Sequence, residues 1–169
     1  MTYSDRPPAC EGCPANTWGV GFVPPSGPQA ARLVLVGQGP GQQEAWNSVP
    51  FFKMAPIGER LTKWLYRSGI SRTEIQLGNI VQCWLPKTKK RGSPDGNREP
   101  LQSEIEFCWN AHVGPWLESG GRPTDPTRVV VPVGVPAARF LLGVPEGKGV
   151  EKFMGTLNEV ELPPIGENQ

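Results

Sequence analysis

The sequence predicts an α/β domain, a three-layer α/β/α sandwich around a central, mostly parallel, four-stranded sheet. Two observations carry this. Short Val/Leu runs, LVLV at 33–36 and RVVVPV at 128–133, each end at a glycine and read as strands buried on both faces. Each is followed by a loop and a helical pattern, and strand, loop and helix recurring in order build a parallel sheet covered on both sides.

In chain order, residues 1–30 hold a CxxCP turn and the Gly/Pro-rich stretch GVGFVPPSGP, and predict an irregular arm lying on the core. The core runs over 31–169 and completes a single domain, since 169 residues suit one unit of ordinary size. Leu33–Val36 is the first strand. Ile57, Leu61, Trp64 and Leu65 follow helical spacing, and Gly69 is placed to stop that helix. Glu74–Cys83 (EIQLGNIVQC) has strand composition. Leu101–Leu117 predicts a helix with Ile105, Cys108, Trp109, Val113 and Trp116 near one face. Arg128–Val133 is the third strand and Pro136–Leu142 a short helix with proline in its first turn. FMGTLNEVEL, from Phe153, is read as a hairpin or the fourth strand.

Glycine and proline number 21 and 20, so long loops are expected. The formal net charge of +1 argues against a uniformly basic nucleic-acid binder, but Lys87, Lys89, Lys90, Arg91 and Arg98 crowd one loop against Asp95 alone. That loop is the candidate phosphate contact. The N-terminus has no apolar leader and no stretch matches a membrane span, which predicts a soluble, cytoplasmic, monomeric protein without membrane contact. In that compartment four cysteines point to metal ligation or free thiols rather than disulfides. Cys10 and Cys13 form CxxCP, while Cys83 and Cys108 are distant singles. The count fits a [4Fe–4S] cluster, with an all-cysteine zinc site as the alternative, because zinc ribbons usually show two tight pairs.

The opening loop after the first strand, GQGPGQQE (37–44), lacks both the GxGxxG spacing and a Walker lysine. Strand-end positions in a parallel sheet form ligand crevices, and this loop, the Asn79–Cys83 region and Gly134 can share one. The CxxCP arm, the GxGPGxxE loop, the Pro50-Phe51 pair, the Asn79 strand end leading to Cys83, the helical Cys108 and the VVPVG strand together closely resemble the family 4 uracil-DNA glycosylases. The resemblance runs from Cys10 to about Gly149.

It implies that Cys10, Cys13, Cys83 and Cys108 ligate a structural iron–sulfur cluster. It implies that Gly37, Gly39, Pro40, Gly41, Phe51 and Asn79 bind a flipped uracil, with Phe51 stacking on the base and Asn79 reading its Watson–Crick edge. Gln38, Glu44 and Asn79 become the catalytic candidates, and uracil-containing DNA, single- or double-stranded, the partner. These residue types suit the task, since a flat polar base needs a π-face, a side-chain amide and backbone free of side chains. The sequence departs from the family twice. Gln38 stands where the family has an acid, and no C-terminal His-Pro motif occurs; the only histidine is His112. Three accounts are open: a longer protein truncated near Gln169, a short homologue that has lost part of the apparatus, or another segment supplying the group. The competing expectation is a catalytically inactive DNA- or protein-binding member that keeps the cluster.

Overall fold

The computed structural model describes residues 3–87, 96–119, 128–145, 147–159 and 161–166. Its centre is β1 (Leu33–Gly37), flanked by β2 (Ile75–Asn79) and β3 (Val129–Val133) in a parallel sheet of order β2-β1-β3. The register sets Gly37 beside both Asn79 and Val133, so the three strand ends meet at one edge.

Alternation along β1 divides the core. Val34 and Val36 join Ile80, Val113, Leu117, Ala137 and Leu141 on one face. Leu35 joins Phe51, Leu61, Leu65, Ile75 and Leu77 on the other. Successive side chains on a strand point to opposite faces, so a run of Val and Leu feeds both layers at once. Helix α2 (Pro56–Arg67) covers the second face, with Pro56 in its first turn and Gly69, at φ +67°, just past its end. The first face is covered by α3 (Gln102–Cys108), a π-helical turn (Trp109–Val113), α4 (Gly114–Ser119) and α5 (Val135–Leu141). The helix expected over Leu101–Leu117 is thus one continuous rod with a π-turn inside it.

Three expectations change. The sheet has three strands among the described residues, not four. Phe153 instead closes a 3₁₀ turn (Glu151–Phe153), with Gly155 at φ +69° beyond it, and no strand forms there among the described residues. In consequence β3 is an edge, with Val129 and Val131 more than a third exposed. The strand predicted over Glu74–Cys83 ends at Asn79, where β1 runs out of partners, and the chain beyond it pairs with the N-terminal arm. Val20 bridges Trp84, the Val23 N–H donates to Gln82 C=O at 2.8 Å, and Ser26 bridges Leu77, all antiparallel. The arm therefore covers the free edge of β2, which would otherwise present unpaired backbone groups. Finally, Gln42–Asn47 forms a helix, α1, inside what the sequence suggests is loop.

Candidate base pocket and cysteine cavity

At the strand ends, Gly37, Phe51 and Asn79 converge. A Cβ on Gly37 would lie 2.9 Å from Phe51 Cζ and closer still to Asn79 Oδ1, so only glycine leaves room for both. Phe51 and Asn79 are buried, and Asn79 Nδ2 has no hydrogen-bond partner. An unpaired buried amide is costly unless a ligand completes it. Gly134, which starts the turn from β3 into α5 at φ +100°, faces Gln38. The loop at 37–44, the Asn79 region and Gly134 thus lie together at one end of the sheet. The Gln38 side chain makes a long hydrogen bond, donating from Nε2 to Arg98 C=O at 3.4 Å, while its own carbonyl accepts the Val81 N–H at 3.3 Å. Gly39 has space beside Val81 C=O, and buried Pro40 accepts at its carbonyl from Asn97 Nδ2 at 3.0 Å.

Glu44 does not stand free at this end of the sheet. It sits at the third position of α1, where its Oε2 accepts the Gly41 N–H at 2.6 Å and its Oε1 accepts the Phe51 N–H. Burial pushes its carboxyl up, against the opposing pull of the Gly41, Phe51 and Phe52 N–H groups and of the Arg72 guanidinium. With both oxygens accepting backbone N–H groups, Glu44 holds the loop in shape. Phe51 itself has φ +50°, a left-handed conformation unusual for an aromatic residue.

About the cysteines, Cys10, Cys13, Cys83 and Cys108 line one cavity together with Gln82, Glu104 and His112. Burial raises all four thiols: Cys83 is pushed up to about 12, with the charge on Cys13 adding to the effect, and Cys108 is also pushed well above the usual thiol range. Among the described residues, no three His, Cys, Asp or Glu side chains are grouped so as to hold a metal ion. Gln82 Nε2 is buried without a partner, and the Gln82 N–H points at Cys108 Sγ, 3.3 Å away. His112, four residues past Cys108, brings Nε2 within 3.2 Å of Cys10 Sγ and sets its ring edge-on to Phe22.

Glu104 was not singled out by sequence, yet it is 2% exposed and forms a bidentate pair with Arg98, at 2.5 and 2.7 Å. Burial raises the Glu104 carboxyl, but the Arg98 bonds and the Leu101 N–H outweigh it and hold the group low. Arg98, expected on DNA, is therefore turned inward, with its guanidinium also over the Trp18 ring. Of the other loop cations, Lys87 is exposed at the neck where Pro86 bridges Asn97, while Lys89, Lys90 and Arg91 lie outside the described residues. Trp84, next to Cys83, is buried and offers no stacking face.

Residues 24–163 match the family model for the uracil DNA glycosylase superfamily. The chain belongs to this superfamily. Similar relatives are type-4 uracil-DNA glycosylases: that of Archaeoglobus fulgidus is 28% identical over 90% of this chain and 69% of its own, that of Thermotoga maritima 33% over 62% and 49%, and that of Pyrobaculum aerophilum 29% over 85% and 64%. For a uracil DNA glycosylase superfamily member, the instructive omissions from the sequence reading are Arg72, Glu104 and Gln82. Glu104 had a signal, its place three residues after the helix-capping position, as did Glu44. Arg72 and Gln82 had none, because their partners are backbone groups and a cavity far along the chain.

Proposed function

We propose that this chain is a uracil-DNA glycosylase, hydrolysing the bond between uracil and deoxyribose in DNA. The observation that carries this is the unpartnered, buried Asn79 amide beside the Phe51 ring above a glycine that cannot be larger. A base extruded from the duplex would stack on Phe51 and complete Asn79 with its Watson–Crick edge, while Gly37, Gly39 and Gly41 let backbone approach it. In the reaction the C1′–N1 bond breaks, water oxygen bonds to C1′ and gives its proton up to solvent, and uracil leaves with the electron pair as an anion that takes a proton back from solvent. Gln38 has no accessible pKa and takes no proton, but its amide can orient water through one donor and one acceptor. Asn79 Nδ2 supplies a donor toward the charge developing on the base. The exposed Lys87 and the neighbouring Lys89, Lys90 and Arg91 would meet the phosphate backbone of single- or double-stranded DNA.

The count of cysteines in the cavity supports a [4Fe–4S] cluster. Four thiols share the cavity, the number that ligates one such cluster. The unpaired Gln82 amide is a donor suited to a cluster sulfur. Cys10, Cys13, Cys83 and Cys108 would hold the cluster, which when bound supplies a cross-link between arm and core rather than chemistry on the base.

Uracil release from single- and double-stranded oligonucleotides tests the proposal. Wild type should release uracil, and Phe51→Ala and Asn79→Ala should each lose roughly 10- to 100-fold, the worth of one stacked or hydrogen-bonded face. Wild-type release no faster than that of the Phe51→Ala/Asn79→Ala double variant would overturn it.

A further inference from the structure

We propose that Arg72 is a positioning residue for base recognition, holding the Phe51 ring over the pocket floor by gripping its backbone. This rests on the glycosylase reading of the pocket. Arg72 lies in the 3₁₀ turn Arg72–Glu74 before β2, outside the pocket, and it is part-buried. Its Nη2 donates to the carbonyl of Pro50 at 3.1 Å and to that of Phe51. From the other side Glu44 accepts the Phe51 N–H. The peptide groups on both sides of the Phe51 Cα are thus held by opposite charges. Beneath them Gly58 of α2 packs so closely that any Cβ there would collide with the carbonyls of Phe51 and Phe52.

The grip matters because Phe51 is held at φ +50°, where an L-residue rests only if its surroundings over-determine it. A residue released from that state relaxes to negative φ and swings its side chain. Here that would carry the ring away from Gly37, against which its edge is fitted. Replacing Arg72 frees two carbonyls while leaving every pocket side chain in place, so its direct hydrogen-bonding effect falls on residues 50 and 51, beside a weaker influence of its charge on the Glu44 carboxyl.

The experiment is a double-mutant cycle. Arg72→Met in wild type should lower kcat/KM for uracil release about tenfold, on the order of one lost stacking contact. In a Phe51→Ala background the same change should alter it less than twofold, because no ring remains to position. Arg72→Lys, which keeps one donor, should recover part of the loss and answers the question if Arg72→Met does not fold. In parallel, 4-fluorophenylalanine at position 51 should give one narrow fluorine resonance in wild type and a shifted or broadened one in the Arg72 variants. Equal losses in both backgrounds, or an unchanged resonance, would overturn the proposal. Should wild type release no uracil, the glycosylase reading fails, and the fluorine resonance still decides whether Arg72 places the ring.

Discussion

Gly37→Ala puts the pocket geometry to a direct test. The added methyl would lie 2.9 Å from Phe51 Cζ, about 0.5 Å inside ordinary contact, and deeper still into Asn79 Oδ1. Neither neighbour can retreat freely, since Phe51 is tied at its backbone and Asn79 ends β2 in register with Gly37 itself. Displacements on the order of 1 Å at positioning groups cost about 10²-fold in rate, equivalent to about 2.7 kcal/mol of transition-state stabilisation. Overpacking by a methyl also costs about 1–3 kcal/mol of stability. Gly78→Ala separates the two effects. One residue along β2, its methyl would meet the Trp116 ring at 2.5 Å, on the face away from Phe51. Urea unfolding should show both variants destabilised to similar degrees. Single-turnover uracil release per folded molecule should fall about 10²-fold in Gly37→Ala and less than about tenfold in Gly78→Ala. Equal losses, or near-normal release by Gly37→Ala, would refute the pocket assignment.

Three other outcomes are expected. Glu104→Gln should cost about 3 kcal/mol at neutral pH by stranding Arg98. Because the Glu104 carboxyl is held below its ordinary value of about 4.5, its contribution is full above that value and fades as pH falls through the lowered folded value, so the gap to wild type in urea melts should narrow on acidification. A gap that widens on acidification would contradict this. Purified protein should carry about four irons per chain with a broad band near roughly 400 nm, both lost in Cys108→Ala, whereas stoichiometric zinc would refute the cluster. Replacing Lys89, Lys90 and Arg91 by alanine should flatten the log–log salt dependence of duplex binding by about 0.9 per lost contact, and Arg98→Ala should leave that slope unchanged.

Much of this architecture is visible in the sequence because it depends on periodicity. The LVLV run feeds two layers, the 57–61–64–65 stripe makes α2, and strand ends bring Gly37, Asn79 and Gly134 together. What escaped depends on contacts between distant positions or on very short elements. α1 is a helix of six residues behind a glycine loop, too brief for a periodic signal. FMGTLNEVEL has strand-like composition but its described residues pair with no strand. Arg98 reads as one more cation in a basic run until the fold brings Glu104 beneath it, and Phe51 reads as core or pocket alike until its φ and its two backbone partners are known.

The helix-capping glutamates have a consequence for how such a protein can diverge. Glu44 shapes the pocket loop and Glu104 anchors the neck of the basic loop beside the cysteine cavity, each from the first turn of a helix. Architecture is thereby entrusted to carboxylates tied to backbone and to Arg98. The side chain of Gln38, by contrast, makes one long hydrogen bond, to the Arg98 carbonyl. Position 38 can therefore explore acid, amide or other side chains with little structural penalty, so that drift in reactivity at this locus leaves the pocket's form intact, while positions 44 and 104 are closed to the same drift.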